Sequence, residues 1–317
     1  MSAAQTEDPR MTVVVASRNR RDELLSSLAR HRAPVVYVDN ASTDGSPEAV
    51  REAFPDVEMV RLRRNAGAYA RTVGVRRART PFVAFADDDS WWAPGSLASS
   101  AELLAADPRL ALLAARMLVG DEERLDPMCE EMSRSPLPGG DGLPGKPVLG
   151  FAACGAALRR DAFLEVGGFD PVVRFPGEED RVAMDLTAAG WALQYVDDVV
   201  VHHHPSPVRH SPERRVRAIS RSRILTAVMR LPLRDVAARV REAWSGGPAK
   251  RAGLMDAWRD LPAAVRARHV TTPEVLRLIA LLEGYVPAAG TPAPAPDTRG
   301  KPLPRGTSGG REDGGTT

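Results

Sequence analysis

Short apolar runs alternate with helical segments along the first 90 residues, and this alternation constrains the fold more than any other feature. Uninterrupted apolar runs rich in β-branched residues are typical of strands buried on both faces of a sheet. Strands that alternate with helices predict an α/β fold with a mostly parallel sheet, flanked by helices and joined by right-handed crossovers. The four runs are TVVVA at 12–16, VVYVD at 35–39, VEMVRL at 57–62 and PFVAFA at 81–86.

Composition divides the 317 residues into four segments. We predict a flexible N-terminus, an α/β domain, a basic helical region and a disordered tail that has almost nothing to bury. Within the α/β domain, the Pro- and Gly-rich residues 120–147 are predicted to form a mobile excursion. The four segments are 1–11, 12–206, 207–286 and 287–317.

Charge is distributed unevenly along the chain. Residues 1–206 carry a net charge of −8, whereas residues 207–286 carry +9. Apolar residues at helical spacing in the basic region predict amphipathic helices. Their arginines either form solvated faces or contact an anionic membrane surface or an acidic partner. We favour packing of these helices on the α/β domain, with a peripheral membrane contact or a dimer contact as alternatives.

Several classes of protein are excluded. Two cysteines, Cys129 and Cys154, are too few for a disulfide-stapled fold and fit a reducing compartment. No apolar stretch approaches the roughly 18 residues of a transmembrane helix, and the first ten residues lack the pattern of a secretory signal. We therefore expect a cytoplasmic protein, peripheral at the inner face of the membrane if the basic helices bind lipid. We expect no nucleic-acid partner, and the oligomeric state is left open.

Three adjacent carboxylates follow the fourth apolar run. Asp87, Asp88 and Asp89 come directly after FVAFA, and their repulsion is unfavourable unless a cation or strong hydrogen-bond donors offset it. Because the carboxyl ends of parallel strands meet at the ligand-binding edge of an open sheet, we expect these acids there. A divalent ion with oxygen ligands, Mg²⁺ or Mn²⁺, suits such a site. The alternative is an acidic surface loop.

Two other acidic segments are candidates. Asp39 ends the second run at the same edge, where its carboxylate can accept a hydrogen bond from a base or a ribose. Glu179 and Asp180 begin a predicted helix, and a carboxylate over a substrate hydroxyl is the usual general base. Helix capping explains one such acid without any function.

Three histidines in a row end the last predicted strand. His202 and His204 point to one face of a strand and His203 to the other. Neutral imidazole is a good ligand for Mn²⁺ and other transition ions. The triplet therefore indicates a metal ligand but leaves the choice of residue open.

In their order along the chain, these segments resemble the motifs of a family 2 glycosyltransferase of the GT-A fold over residues 12–206. Several motifs in one order are far more specific than any one of them. The resemblance implies a GT-A catalytic domain with a C-terminal helical extension. The matching motifs are VVVASRNR, VDNASTDGS, NAGAYAR, FADDDSWWAPGSL, GFAACGAALRRDAFLEVGGFD, GEEDRVAMDLTAAGW and VVVHHH.

The resemblance also implies roles for individual residues. Asp180, next to Glu179, would be the general base. Asp89 would bind the metal together with His202 or else His204. The nucleotide sugar would be bound by Ser17, Arg18, Asp39, Asn65, Gly67, Arg71, Asp87 and Asp88.

The implied reaction moves a sugar from a nucleotide-diphospho-sugar to an acceptor hydroxyl with inversion, and Mn²⁺ or Mg²⁺ stabilises the leaving diphosphate. UDP, dTDP and GDP donors are all open, and so is the acceptor, for which cell-envelope or polysaccharide biosynthesis is the expected setting. One alternative is a catalytically degenerate protein that binds sugar nucleotides or acts as a scaffold. A sugar-nucleotide nucleotidyltransferase would need a Gly-rich loop after the first strand, and residues 16–23 contain no glycine.

Overall fold

The computed structural model describes residues 6–205 and 211–284, so residues 1–5 of the predicted flexible N-terminus and the whole predicted tail lie outside the described residues. The described part of the chain contains one sheet of ten strands. These are β1 (Met11–Ser17), β2 (Val35–Asp39), β3 (Glu58–Arg61), β4 (Phe82–Ala86), β5 (Ser90–Trp92), β6 (Leu110–Val119), β7 (Arg124–Leu125), β8 (Lys146–Pro147), β9 (Ala156–Arg159) and β10 (Ala192–His203). The helices are α1 (Arg21–Leu28), α2 (Ser46–Ala53), α3 (Tyr69–Arg77), α4 (Ser96–Ala106), α5 (Pro127–Ser133), α6 (Arg160–Glu165), α7 (Glu179–Ala188), α8 (Pro212–Arg230), α9 (Leu233–Ser245), α10 (Pro248–Ala257), α11 (Leu261–Arg266) and α12 (Pro273–Gly284).

The main path through the sheet runs β3-β2-β1-β4-β9-β6-β10-β5. Six of these eight strands point the same way, because β1 to β4 pair in parallel, as do β6 and β10, and β9 reverses the direction twice between β4 and β6. The edge strand β5 is antiparallel to β10. The predicted mostly parallel α/β sheet is confirmed, with two reversed strands that the sequence pattern did not indicate.

The four predicted runs become β1 to β4, and no end shifts by more than one residue. Strands β2 and β4 are buried at every position, as expected for strands covered by helices on both faces. Helix α3 approaches the sheet most closely at Gly74, where an added Cβ would lie 2.4 Å from Cγ1 of Val14. Any larger residue at Gly74 would push α3 away from the sheet.

One edge of the sheet collects the carboxyl ends of the parallel strands. Ser17 ends β1, Asp39 ends β2, Asp87–Asp89 follow β4, and His203 ends β10. The antiparallel β9 begins at this edge and is entered through a turn of 3₁₀ helix at Ala153–Gly155. Candidate residues from distant parts of the sequence are therefore brought to one place by strand direction alone.

The predicted excursion at 120–147 contains three short elements, β7, α5 and β8, and packs on the sheet. Cys129 of α5 is completely buried, and its Sγ accepts the N–H of Met117 at 3.2 Å. Asp126 caps α5 by accepting the N–H of Met128. The prediction of an excursion without structure of its own was wrong, because the Pro and Gly residues form turns between docked pieces.

Helices α8 to α12 lie where the sequence predicted the basic helical region. Helices α9, α10 and α11 all contact α8. The closest approach is at Gly253 of α10, where an added Cβ would lie 2.2 Å from the carbonyl oxygen of Arg217. Within residues 6–205 and 211–284, no helix has the length and apolar character needed to cross a bilayer. The apolar core of this bundle includes Ile224, Leu225, Val228, Met229, Ala243, Ala257 and Ala264.

A buried ionic network joins the bundle to α7. Asp185 of α7 accepts hydrogen bonds from Arg181 on the same helix and from Arg230 of α8, the latter at 2.5 and 2.8 Å. All three side chains are buried. Because removal of one partner would leave an uncompensated buried charge, the network fixes α8 against α7.

Candidate active site

At the edge of the sheet, one carboxylate oxygen of Asp39 accepts no hydrogen bond from the described residues. Asp39 is completely buried, and its Oδ1 accepts the Tyr37 hydroxyl at 3.3 Å and the Ser42 N–H at 3.1 Å. Its Oδ2 has no hydrogen-bond partner among the described residues, although Nε of Arg61 lies 3.6 Å away. A buried carboxylate oxygen without a donor is costly. Asp39 is therefore poised to accept an N–H or O–H from a ligand.

The turn that leads into α3 is held by two asparagines. Asn40 accepts the N–H of Ala66 at 2.7 Å and donates to the carbonyl oxygen of Gly67 at 3.1 Å. The side chain of Asn65 accepts the N–H of Gly67 at 2.9 Å. Gly67 has a φ of +59°, which is the conformation that glycine adopts without steric cost. Asn65 and Gly67 thus shape the backbone beside Asp39.

Arg71 of α3 is buried between two carboxylates. Its guanidinium donates to Asp87 and lies 3.6 Å from Glu178. Burial alone would lower the pKa of Arg71, but the charges of Asp87 and Glu178 raise it overall. Neither oxygen of the buried Glu178 has a hydrogen-bond partner within the described residues. Burial, reinforced by the charge of Glu179, raises the pKa of Glu178 well above its ordinary value.

Asp88 faces β1. One of its oxygens accepts the Ser17 hydroxyl at 2.6 Å, and the other lies 3.5 Å from Nε of Arg20. Burial, together with the charges of Asp87 and Asp89, raises the pKa of Asp88 to about 7. Asp88 therefore resists ionising beside its two neighbours, and a divalent cation at this place would favour its ionised form.

Asp89 lies beside His203. Oδ1 of Asp89 is 3.4 Å from Nε2 of His203, and its Oδ2 is 3.7 Å from Nη2 of Arg20. Antiparallel pairing of β5 with β10 produces this contact, because it places Ser90 opposite His203. An acid and an imidazole that are 114 positions apart in the sequence are thus adjacent at the edge.

His202 and His204 lie on the opposite face of β10. The resemblance implied that one of these two histidines binds the metal. Both pack on the ring of Trp91, with centroid separations of 5.5 and 4.7 Å. The alternation of side chains along a strand turns them away when His203 turns toward the acids. The structure therefore differs from the assignment and brings His203 to Asp89.

Asp89 and His203 supply one carboxylate oxygen and one imidazole nitrogen, which are donors that Mn²⁺ accepts. No group of three or more His, Cys, Asp or Glu side chains within residues 6–205 and 211–284 is arranged to hold a metal ion. A cation bound by this pair would take its remaining ligands from water or a diphosphate, as Mg²⁺ commonly does. The residues present fit a metal that is bound together with a nucleotide.

Glu179 lies on the side of the acid triplet. Its Oε1 accepts the N–H of Ala153 at 3.4 Å. Its charge acts on Arg71 and on the buried thiol of Cys154, and the charges of Asp87 and Asp89 act on the same thiol. Burial, with a contribution from Asp180, raises the pKa of Glu179. Glu179 therefore combines a position near the acids with increased basicity.

Asp180 faces the C-terminal helices instead. Burial raises its pKa, and the charges of Arg223 of α8 and Arg239 of α9 partly offset that effect. Adjacent residues on a helix point about 100° apart, so the carboxylates of Glu179 and Asp180 point in different directions. They remain close enough for the charge of Asp180 to act on Glu179, but they face different partners.

The remaining nucleotide-binding candidate, Arg18, lies at the rim of the site. It is exposed, and its Nε is 3.4 Å from the carbonyl oxygen of Ala41. The loop that carries it is tied down by Asn19, which accepts the N–H of Thr43 at 2.8 Å. Arg18 is thus free to contact a ligand from outside the floor of the site.

Residues 12–167 match the sequence family described as glycosyl transferase family 2. The chain belongs to this family. An N-acetylglucosaminyl-diphospho-decaprenol L-rhamnosyltransferase of Mycobacterium tuberculosis is 28% identical in an alignment of 213 residues, which covers 56% of this chain and 69% of the relative. A pre-mycofactocin glycosyltransferase of the same species is 32% identical in an alignment of 211 residues, which covers 63% of this chain and 44% of the relative.

The GT-A fold of this family 2 glycosyltransferase is confirmed by similarity to solved structures. The mannosyltransferase PcManGT of Pyrobaculum calidifontis, in complex with GDP-Man and Mn²⁺, aligns with a TM-score of 0.51 and 23% identity. The alignment covers 92% of this chain and 79% of that protein. The glycosyltransferase class predicted from the motifs is shown by the family match over residues 12–167.

Several residues of this glycosyltransferase site were not predicted individually. Arg20 faces the acid triplet, and its position just after β1 is the signal that could have found it. Asn40 was not named as a candidate, although an asparagine after a strand end often bonds to nearby backbone. Glu178 was not named either, and its burial against Arg71 depends on long-range packing.

Proposed function

We propose that this family 2 glycosyltransferase transfers a sugar with inversion from a nucleoside-diphosphate donor to an acceptor hydroxyl, in a single displacement assisted by a divalent metal. One observation carries the proposal. A single sheet edge brings together an open buried acceptor at Asp39, an acid–imidazole pair at Asp89 and His203, and the basic carboxylate of Glu179. These are the three elements that donor binding, leaving-group stabilisation and proton removal require.

Asp39 would bind the base of the donor through its unpartnered oxygen, since UDP, dTDP and GDP all carry a ring N–H. Ser17 and Asp88 lie next to it at the ends of β1 and β4. Asn65 and Gly67 shape the neighbouring turn. Arg18 lies at the rim of the site, where it donates to the carbonyl oxygen of Ala41. Asp87, held by Arg71, is in position for the ribose.

Asp89 and His203 would hold the metal, and Mn²⁺ or Mg²⁺ supplies a Lewis acid that stabilises the negative charge on the departing diphosphate. This assignment replaces His202 and His204 by His203. The raised pKa of Asp88 is consistent with it, because burial and the charges of Asp87 and Asp89 disfavour the ionised form of Asp88, which a bound cation would stabilise.

Glu179 would act as the general base. Its carboxylate takes the proton from the acceptor hydroxyl while that oxygen bonds to the anomeric carbon. The bond between the anomeric carbon and the diphosphate oxygen breaks on the opposite face, so the configuration inverts. A raised pKa suits this role, and burial raises the pKa of Asp180 as well. We choose Glu179 because it accepts the N–H of Ala153 at the entry to β9, whereas Asp180 faces the charges of Arg223 and Arg239.

The name of the first relative includes a lipid-linked diphosphate acceptor, and we propose that class as the first to test here. Arg223 and Arg239, which act on Asp180 from the C-terminal helices, provide positive charge beside the proposed base. Arginine is well suited to recognising phosphate groups. A catalytically degenerate binding protein remains the alternative, and it would bind donor without turnover.

The test is calorimetric titration of UDP, dTDP and GDP into the protein with and without Mn²⁺, repeated on Asp89→Ala. We expect one nucleotide to bind in a metal-dependent manner, with the metal dependence lost in Asp89→Ala. The matched control is Asp121→Ala, which removes an exposed acid beside His204 and should bind as the parent does. Failure of every nucleotide to bind in either condition would refute the proposed function.

A further inference from the structure

Exposed apolar side chains are concentrated in the C-terminal helices. Of the eleven large apolar residues that are exposed in the described part of the chain, nine follow residue 211. Leu233 and Trp258 are 74% and 73% exposed, and Trp244 and Met255 are 60% and 56% exposed. Isolated exposed aliphatic residues are ordinary, but two exposed tryptophans on neighbouring helices are not.

On α9 the exposed residues form a stripe along one side. Successive residues of a helix are about 100° apart, so Leu233 and Trp244, eleven positions apart, point within about 20° of each other. Arg234 and Arg241 lie about 80 to 100° from Leu233, on the side away from the buried Ala243. The stripe of α9 is therefore apolar with an arginine border.

The following helix repeats this arrangement. Met255 and Trp258 lie on the side of α10 opposite the buried Gly253 and Ala257. Arg251 and Arg259 fall on the same outward side, about 40° from Met255. We call Leu233, Trp244, Met255 and Trp258, with the four arginines that border them, the outer face.

The outer face belongs to a strongly basic region of an otherwise acidic molecule. Residues 211–284 carry fifteen basic and seven acidic side chains, a net charge of +8. Residues 6–205 carry 23 basic and 31 acidic side chains, a net charge of −8. An anionic surface would attract the bundle and repel the sheet domain, and would thus orient the molecule as well as bind it.

We propose that the outer face binds the surface of an anionic lipid bilayer, with Trp244 and Trp258 inserted at the headgroup level and the arginines on lipid phosphates. Tryptophan prefers this interface, and arginine keeps its charge at the headgroups while its stem covers apolar surface. A second copy of the chain is a poorer occupant, because it would bring two basic faces together. The segment 287–317 is also a poor occupant, because Leu303 is its one large apolar residue.

The proposal is independent of the proposed function, but it agrees with the placement of the candidate site. The bundle touches the loop before α7, where Ser222 of α8 donates to the carbonyl oxygen of Arg174 at 2.8 Å. Arg223 follows Ser222 and acts on Asp180. The bundle that carries the outer face therefore also contacts the loop before α7 and acts on Asp180.

The experiment is co-flotation of the full-length protein with vesicles of phosphatidylcholine, with and without phosphatidylglycerol, at low and high salt. We expect binding to the anionic vesicles at low salt and its loss at high salt. The Trp244→Ser/Trp258→Ser double variant should lower the partition coefficient about tenfold or more. The Arg241→Glu/Arg251→Glu variant should lower it at least as much, since each arginine near the surface contributes about fivefold.

Matched controls are Met128→Ser and Arg124→Glu, which change an exposed apolar residue and an exposed cation outside the bundle and should bind as the parent does. Circular dichroism of each variant shows whether the helices are intact. Failure of the parent to bind anionic vesicles at low salt would overturn the proposal. So would parent-like binding by the tryptophan variant, or self-association that this variant abolishes in the absence of vesicle binding.

Discussion

The sheet domain and the C-terminal bundle differ in the kind of buried polar atom that lacks a hydrogen-bond partner. Within the described residues, the sheet domain leaves charged atoms of Asp39, Arg71 and Glu178 without hydrogen-bond partners, whereas the unpartnered buried atoms of the bundle are two threonine hydroxyls. The buried Arg230 of the bundle is fully paired with Asp185. Buried charged atoms that lack hydrogen bonds cost stability even when an opposite charge lies nearby, so we expect a ligand to supply hydrogen-bond partners to Asp39, Arg71 and Glu178.

The largest expected effect tests whether a carboxylate of the sheet domain takes part in the chemical step. Glu179→Gln keeps the shape of the side chain but removes the proton acceptor, so we expect kcat to fall by about 10²–10⁴ while nucleotide affinity is unchanged. Asp180→Asn should lower kcat by less than about tenfold and act mainly on acceptor KM. Steady-state kinetics measures kcat and the acceptor KM, with an assay that detects the glycosylated acceptor and not hydrolysis of the donor. The reverse order of effects would assign the base to Asp180.

The next effect tests whether the ionic network of the bundle is structural. Asp185→Asn leaves two buried arginines without their shared carboxylate, so we expect the free energy of unfolding to fall by about 3–5 kcal/mol in urea denaturation. Asp256→Asn is the matched control, because it removes the carboxylate of a largely exposed pair with Arg217. That change should cost at most about 1 kcal/mol. Equal losses in the two variants would contradict the structural role of the network.

The smallest effect concerns pH. Burial lowers the pKa of His31 to about 4, and its Nδ1 has no partner among the described residues. The unfolded chain binds a proton below about pH 6.5 while folded His31 does not, so stability falls as pH falls from about 6.5 to about 4. His31→Leu should remove up to about 3 kcal/mol of that loss. Urea unfolding of both proteins across this range measures it, and superimposable pH profiles would contradict the prediction.

The sequence predicted those features of the fold that depend on short stretches of the chain, such as the buried strands. Runs such as VVYVD specify buried strands, and the position of Asp39 at a strand end follows from them. The reversal of β9 and β5 carried no such signal, because short antiparallel strands have the same apolar pattern as parallel ones. The alternation of His202, His203 and His204 was predicted, but the face that meets Asp89 is set by the register of β5 on β10.

The same limit applies to the acids. Glu179 and Asp180 were recognised as candidates because helix capping explains only one acid at a helix start. Their separate surroundings depend on Arg71 from one side and α8 from the other, which are long-range contacts that no local pattern encodes. The segment 120–147 shows the converse, since its composition predicted a loop and tertiary packing gave it structure.

The acid triplet also has a mechanical consequence. Asp87–Asp89 join β4 to β5, yet four strand spacings separate these two strands along the sheet order, or about 19 Å if the sheet were flat. Four residue steps span at most about 14 Å, so the sheet must curl toward itself at this edge. The indole of Trp92 closes the curl by donating to the carbonyl oxygen of Phe85 at 3.0 Å. The segment proposed to bind the metal is thus also the short connection that keeps the sheet curled, and a longer connection there would let the sheet uncurl.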